Sequence, residues 1–283
     1  MIIVGLVLVL SVGFYYIKTS SILRKTSRDS IVRELNQVND TIQDQVEIID
    51  SIIPLFMSNE VIQNALENPG AGINYPFSVE RQMSYIYNSS ALSEKNFTDS
   101  IYIYNSRSTV YHAYTSGILE NVDDTSEFLQ STIDSANPHL MCYTSPLHDQ
   151  NMYFARNLYS SNSGNRIGMI VININAQKWI EYCSKTIDPS WFIMLFNKEF
   201  SLSSDSDFSK DQLLDLYSSL TAQKNSFLFK EQSFGGRDYF MASQSLERLG
   251  LTSAVAAPKD LLLENLNSTL KSYLLVTLAV ALL

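Results

Sequence analysis

Ile31, Leu35, Val38, Ile42, Val46, Ile49 and Ile53 recur at spacings of three and four, the period of a helix with one apolar face. No glycine or proline interrupts residues 14–53, so the spacing predicts one long helix up to Pro54, whose ring should kink or end it. Ser58 is then placed to cap a short helix through Leu66. Whatever else the chain builds must either pack on that stripe or leave it to a partner. Lobe-packing face and dimer seam are both open, and both can hold at different heights along one helix.

The helix grows out of an apolar run, Met1 to Ile17, with no charge before Lys18. Its length reaches the lower edge of the roughly 17 to 25 residues that a spanning helix needs. A second apolar run, Tyr273 to Leu283, is about half that length, and it is read as the start of a truncated second span. The other reading is a cleavable signal peptide and a buried tail, but no small-x-small site follows Ile17. Lys18, Arg24, Lys25, Arg28 and Arg33 follow the first run, a cluster that the positive-inside rule would keep in the cytoplasm. Residues 18–272 are nevertheless expected outside the cell membrane, on the view that Met1 is an internal start and a stronger cytoplasmic flank lies out of view.

About 250 residues remain between the runs, enough for one large or two smaller domains. With 16 Tyr and 14 Phe against few Gly and Pro, they belong to a folded module and not to a linker. A net charge of −9 excludes nucleic-acid binding by this segment, since phosphate binding needs a basic face. Cys142 and Cys183 show no metal spacing; a disulfide between them and two buried thiols are both open. His112, His139 and His148 form no HxH or HExxH pattern. No nucleophile elbow, phosphate loop or dinucleotide fingerprint occurs, so no catalytic residue, metal, cofactor or enzyme activity is expected in residues 1–283.

After a Pro- and Gly-rich loop over 68–77, the pattern predicts a helix over 78–92. The period then changes to two. Ser100 to Asn105 and Thr109 to Tyr114 read as an antiparallel hairpin, and a short helix is expected over 123–135. Strands follow at 140–144, 152–159 and 166–174, then a helix over 176–185. Asp188–Pro189 opens a second unit with a strand at 191–196, a helix over 209–223 and strands at 227–232, 237–245 and 251–257. Gly235–Gly236 turns one hairpin, and Pro258 starts a last helix. The fold class expected is α+β: two lobes with antiparallel sheets on one long helix.

Three stretches carry a family resemblance: DSIYIYNSRSTVYHAY, MYFARNLYSSNSGNRIGMIVININAQKW and GGRDYFMASQSLERLGLTSAVAAPKDLL. With the order span, long helix, large lobe, small lobe, span, the chain resembles the extracellular double Cache (PAS-like) sensor region of bacterial transmembrane receptors, sensor histidine kinases and membrane-bound AraC-type regulators among them. It departs from that family at Phe196–Ser201, where an Asp-x-x-Gly turn is usual. The resemblance implies a span over 1–17, a signalling helix over 18–68, a large distal lobe over 69–188, a small membrane-proximal lobe over 189–257 and a helix over 258–283 entering the second span. It also implies a homodimer through the N-terminal helix, and a small solute bound in the distal lobe whose binding is transmitted through the membrane. A membrane-anchored scaffold whose lobes contact a partner protein is the rival.

The candidate ligand groups are polar side chains on apolar strand faces. Arg156 shares its strand face with Phe154 and Leu158, and its guanidinium must find an acceptor. It could fork a ligand carboxylate or pair internally with Asp99 or Asp149. Asn173 shares a face with Met169 and Val171, opposite Ile170, Ile172 and Ile174, and could bond a ligand hydroxyl or cap the next helix. Tyr102, Tyr104, Tyr111, Tyr114 and Tyr153 would supply an aromatic wall. The ligand expected is carboxylate-bearing or sugar-like. A cavity reaching Arg156 and Asn173 would favour the sensor, and an internally paired Arg156 in an apolar lobe would favour the scaffold.

Overall fold

The computed structural model describes residues 2–68, 75–105, 110–114, 139–144, 151–160, 162–198, 200–205, 208–221, 227–234, 236–262 and 272. The first helix, α1 (Ile2–Met57), is continuous, and Pro54 sits within its last turn instead of ending it. Pro54 has no amide to give the Asp50 carbonyl, its own carbonyl receives the amide of Ser58 (2.9 Å), and the helix ends three residues later at Met57. Asn59, not Ser58, caps α2 (Glu60–Glu67), its side-chain oxygen accepting from the amides of Val61 and Ile62. The third helix, α3 (Tyr75–Asn88), starts and ends a few residues earlier than the periodicity suggests.

Ten strands form two five-stranded sheets: β1 (Thr98–Asn105), β2 (Val110–Tyr114), β3 (Met141–Thr144), β4 (Asn151–Tyr159) and β5 (Arg166–Asn175), then β6 (Phe192–Phe196), β7 (Ser201–Ser203), β8 (Phe227–Phe234), β9 (Arg237–Leu246) and β10 (Leu251–Pro258). The orders are β2-β1-β5-β4-β3 and β7-β6-β10-β9-β8, the same wiring twice, and every pair is antiparallel. Helices α4 (Ala176–Ser184) and α5 (Lys210–Thr221) complete the described elements. The fold is thus α+β, two PAS-like lobes on one long helix, as the pattern predicts. The short strand β7 is unforeseen. It is formed where the family's Asp-x-x-Gly turn is missing: Asn197 donates its amide to the Phe200 carbonyl (2.8 Å) and accepts the Phe200 amide on its side chain (2.9 Å), which closes the β6–β7 hairpin. The helix expected over 123–135 lies outside the described residues.

The stripe on α1 is the lobe-packing face. Ile31, Leu35, Val38, Ile42, Val46, Ile49 and Ile53 are at most 2 % exposed and belong to one core with both sheets. Burial of such side chains is worth roughly 1.5–3 kcal/mol each, so this stripe is not free to serve as a dimer seam. Above Leu23 the outward face of α1 is polar, with Lys25, Asp29, Asn36, Asp40, Asp44 and Glu47 exposed. Helix α1 lies directly on β9 and β10 and reaches the first lobe through α2, α3 and α4.

Among the described residues no helix is long and apolar enough to cross a membrane. Residues 2–17 are helical as the first turns of α1, while residues 273–283 lie outside the described residues. Cys142 and Cys183 are both free thiols, so no bridge joins them. Burial pushes both thiols up to about 12.

Candidate functional site

Each sheet has two faces, and the two lobes treat them differently. In the second lobe the face turned away from α1 carries Phe192, Met194, Phe196, Tyr239, Met241, Ala254 and Ala256, and Leu213, Leu216 and Leu220 of α5 pack onto it. That face is an ordinary apolar core. The equivalent face of the first sheet is built from Tyr102, Tyr153, Ala155, Met169 and Val171, with Tyr104 and Tyr143 packed beside them.

Strand register turns this face into rows. Tyr143 stands opposite Tyr153, Tyr153 opposite Asn173, Asn173 opposite Ser100, and Ser100 opposite Tyr114. This row crosses all five strands with a hydroxyl or amide at every position. The next reads Met141, Ala155, Val171, Tyr102 and His112, and the third includes Asn157, Met169 and Tyr104. Ser100, Asn157 and Asn173 are each 2 % exposed, Tyr102 4 % and Tyr153 6 %, so the polar groups are withdrawn from bulk water. The Tyr102 hydroxyl is buried and has no hydrogen-bond partner among the described residues, a state that costs about 1–3 kcal/mol unless something else satisfies it. The rings of Tyr102 and Tyr104 lie 6.4 Å apart and those of Tyr143 and Tyr153 6.5 Å apart.

The charge balance of this face is simple. Strands β1, β3, β4 and β5 bring no formally charged side chain to these three rows. At the β2 edge His112 lies 3.1 Å from Glu80 of α3. Among the described residues, the strands of this floor offer donors, acceptors and ring faces to a solute, with the His112–Glu80 pair at the β2 edge.

The structure brings together Tyr102, Tyr104, Tyr153 and Asn173 of the residues singled out in the sequence. Asn173 does share its face with Met169 and Val171, and the cap of α4 is made by Asn175 instead, whose side chain accepts the Lys178 amide (3.0 Å). Tyr114 takes its place in the row by backbone register, its side chain being outside the described residues. Tyr111 is elsewhere: it pairs with Ile103 and lies in the core on the α1 side.

Arg156 is elsewhere too. It shares a strand face with Phe154 and Leu158, which face the helices, so its guanidinium points away from Asn173 and reaches α1. There it donates to the Asp50 carboxylate at 2.8 Å. The expected partners were Asp99 and Asp149. Asp99 instead lies near Lys178 (3.9 Å) and Asn175 (3.4 Å), and Asp149 lies outside the described residues. Asp50 also receives Arg248 of the second lobe at 3.4 Å, so one carboxylate on α1 joins both lobes. A second tie between lobes runs from the Asn197 side chain to the Thr144 hydroxyl (3.1 Å).

Sequence reasoning missed Ser100, Tyr143 and Asn157. Period two places Ser100 with Tyr102 and Asn157 with Tyr153, so both were findable by extending the alternation. Tyr143 needed the β3–β4 register, which no local signal carries.

Hollows elsewhere among the described residues involve α1 and the second lobe. One, of about 420 Å³, lies between Asn39, Ile42, Gln43 and Val46 of α1 and residues 244–249; its amides are engaged with each other, Asn39 donating to Gln244 (3.0 Å) and accepting from Ser253 (2.6 Å). Another, of about 380 Å³, lies between Ser21, Arg24, Lys25 and Arg28 of α1 and Phe229, Lys230 and Glu231 of β8. No group of three or more His, Cys, Asp or Glu among the described residues could hold a metal ion.

Solved structures share this architecture at low identity. The ligand-binding domain of the Campylobacter jejuni chemoreceptor Tlp3, in complex with L-norvaline, matches with a TM-score of 0.57 and 15% identity over 86% of this chain and 94% of that one. The sensor domain of the V. cholerae histidine kinase DctB matches at 0.55 and 14%, over 86% and 99%. The ligand-binding domain of Mlp24 with asparagine matches at 0.56 and 9%, over 87% and 98%. No family model and no curated protein matches the sequence. The chain therefore shares the two-lobed fold of these sensory and ligand-binding domains of chemoreceptors and a histidine kinase.

Proposed function

We propose that this chain is the extracellular ligand-sensing region of a transmembrane signal-transduction receptor, with a small uncharged, hydroxyl-rich solute bound on the outer face of the first sheet. The observation that carries the reading is the contrast between equivalent faces of the two lobes. One is filled with Phe, Met and Ala under α5; the other presents a buried row of Tyr143, Tyr153, Asn173 and Ser100, with the Tyr102 hydroxyl beside it. A buried hydroxyl that only filled space would cost stability, whereas a polar ligand would supply the partner that the Tyr102 hydroxyl lacks among the described residues.

The binding groups are Tyr102, Asn173, Tyr153, Ser100 and Tyr143, with Tyr104 and Tyr114 at the margin. Arg156 and Tyr111 serve the core. Since the carboxylate option rested on Arg156, the sugar-like option remains for this floor: rings stack on pyranose faces, and amides and hydroxyls bond the hydroxyls. The solved Tlp3 and Mlp24 domains hold amino acids, whose two charges would meet no formally charged partner on strands β1, β3, β4 and β5 of this face.

In this reading residues 1–17 anchor the chain in the cell membrane and 18–272 lie outside. The distal lobe spans 69–188, the proximal lobe 189–257, and 258–283 return to the membrane. Binding shifts the balance between two preexisting arrangements of the lobes on α1, driven only by the ligand's differential affinity for them. A homodimer would form along the lower part of α1, where Phe14, Ile17 and Ile22 are exposed.

The test is ligand-dependent melting of the full chain against a panel of monosaccharides, polyols, amino acids and dicarboxylates. Sugars or polyols should raise Tm, and the rise should vanish in Tyr102→Phe and Asn173→Ala while Arg156→Gln keeps it. A rise with amino acids alone would overturn the uncharged ligand. One observation favours the scaffold reading, the internal pairing of Arg156 with Asp50; a panel without any effect would support it.

A further inference from the structure

The basic cluster after the first apolar run conflicts with the positive-inside rule if residues 18–272 are outside, so its surroundings matter. Residues 18–33 carry five basic residues and one acidic residue in a chain of net charge −9. On α1, Lys25 and Arg28 are exposed, and Arg24 keeps 63 % of its side-chain exposure while paired with Glu231. Across the hollow of about 380 Å³, β8 presents Phe229 and Glu231, and Lys259, where the chain leaves β10, bonds Glu231 at 2.9 Å; Lys230 turns to the other face, where its ammonium donates to the Ser219 hydroxyl of α5 (2.9 Å). Arg24 and Lys259 thus share one carboxylate, and Lys25 and Arg28 line the hollow beside it. Arg28 lies over the Phe229 ring and Lys259 over the Phe240 ring, at 5.6 and 5.7 Å, which fixes their position without neutralising them.

The cluster also has a defined height. At about 1.5 Å per residue, Arg24 and Arg28 stand roughly 10 and 16 Å beyond Ile17 along α1. Long basic side chains can reach back towards the headgroup layer, which extends about 5–7 Å past the hydrocarbon. Ile17 and Ile22, exposed below and beside them at 69 % and 57 %, mark the apolar side of that boundary.

We propose that Arg24, Lys25 and Arg28 of α1, with Lys259 of the second lobe, form a docking surface for the anionic headgroups of the bilayer's outer leaflet, seating that lobe on the membrane. This rests on the reading that residues 1–17 are membrane-inserted. The excess positive charge outside then has a partner, and the lobe that must move during signalling is coupled to the lipid surface.

The experiment uses the full chain in vesicles of phosphatidylcholine alone or of phosphatidylcholine with phosphatidylglycerol. Flotation reads insertion, and Tm reads the contact. Flotation with both vesicles and a Tm higher by roughly 5 °C in the anionic ones, lost at high salt and in the Arg24→Gln, Lys25→Gln, Arg28→Gln variant, is the expected result. Lys25→Gln alone, whose side chain is exposed, should lose part of the rise, which guards against misfolding of the triple variant. Flotation with no anionic-lipid effect, or an effect that resists salt or survives the triple variant, overturns the proposal alone. Inorganic phosphate reproducing the rise in neutral vesicles overturns the lipid as its source. Absence of flotation overturns the insertion reading and the proposal with it.

Discussion

Replacing Asp50 by Asn removes a charge that two lobes share while keeping the side-chain volume. The magnitude follows from the geometry. A hydrogen bond to a charged group is worth about 1.5–3 kcal/mol when sheltered, and an exposed ion pair about 0.2–1 kcal/mol. Arg156 and Asp50 keep 31 % and 29 % of their side-chain exposure and meet at 2.8 Å, which places this contact near the overlap, at about 1.5 kcal/mol. Arg248, 43 % exposed and 3.4 Å away, should add about 0.3 kcal/mol. Asp50→Asn is therefore expected to cost roughly 2 kcal/mol, a Tm fall of about 4–8 °C. Urea unfolding of the single and double variants gives the coupling directly. The Asp50/Arg156 cycle should show about 1 kcal/mol and the Asp50/Arg248 cycle well under half of that. A coupling between Asp50 and Arg156 indistinguishable from zero, or a larger one to Arg248, would refute the assignment of Arg156 to the core.

Three other perturbations bear on the fold. Gly168→Ala would set a Cβ 2.3 Å from the Tyr104 carbonyl oxygen and 3.1 Å from Leu66; a backbone atom cannot step aside, so a loss of about 1–3 kcal/mol is expected in thermal unfolding. With both thiols pushed up to about 12, Cys142 and Cys183 should alkylate slowly at pH 8 in the folded chain and fast in urea, and reductant should leave Tm unchanged. Burial pushes the Glu231 carboxyl up, but hydrogen bonds from Lys259 and Arg24 outweigh it, so it titrates below its usual 4.5. Its contribution to stability is then complete above that value and is lost as pH falls through the lower folded one; melting followed between neutral pH and strong acid should show a loss that Glu231→Gln flattens.

Much of the fold was legible because its signals are local. The three-and-four spacing from Ile31 to Ile53 gave α1 its buried face, and period two from Ser100 to Tyr114 gave the β1–β2 hairpin. What failed was non-local. The partner of Arg156 is 106 residues away, and alternation says only which neighbours share a face, not which side meets α1. The same gap put Tyr111 with its sister tyrosines, although one residue of register turns it into the core. Pro54 marked the end of α1 only to within a turn: the helix runs three residues past it to Met57, because a proline removes its own amide bond while its carbonyl still accepts from Ser58. Strand β7 was hidden because Ser201–Ser203 has neither length nor β-branching to announce it.

The central claim is that the polar outer face of the first sheet binds an uncharged, hydroxyl-rich solute. Its most direct measurement is calorimetric titration of the full chain, and of its Tyr102→Phe and Asn173→Ala variants, with the sugar or polyol that gives the largest melting shift. The account predicts saturable one-site binding that weakens by about tenfold or more per variant, as expected when a buried hydrogen bond of about 1.5 kcal/mol is lost, and that is unchanged in Arg156→Gln. Binding that both variants retain and Arg156→Gln abolishes would contradict it, placing the ligand on the α1 side of the sheet.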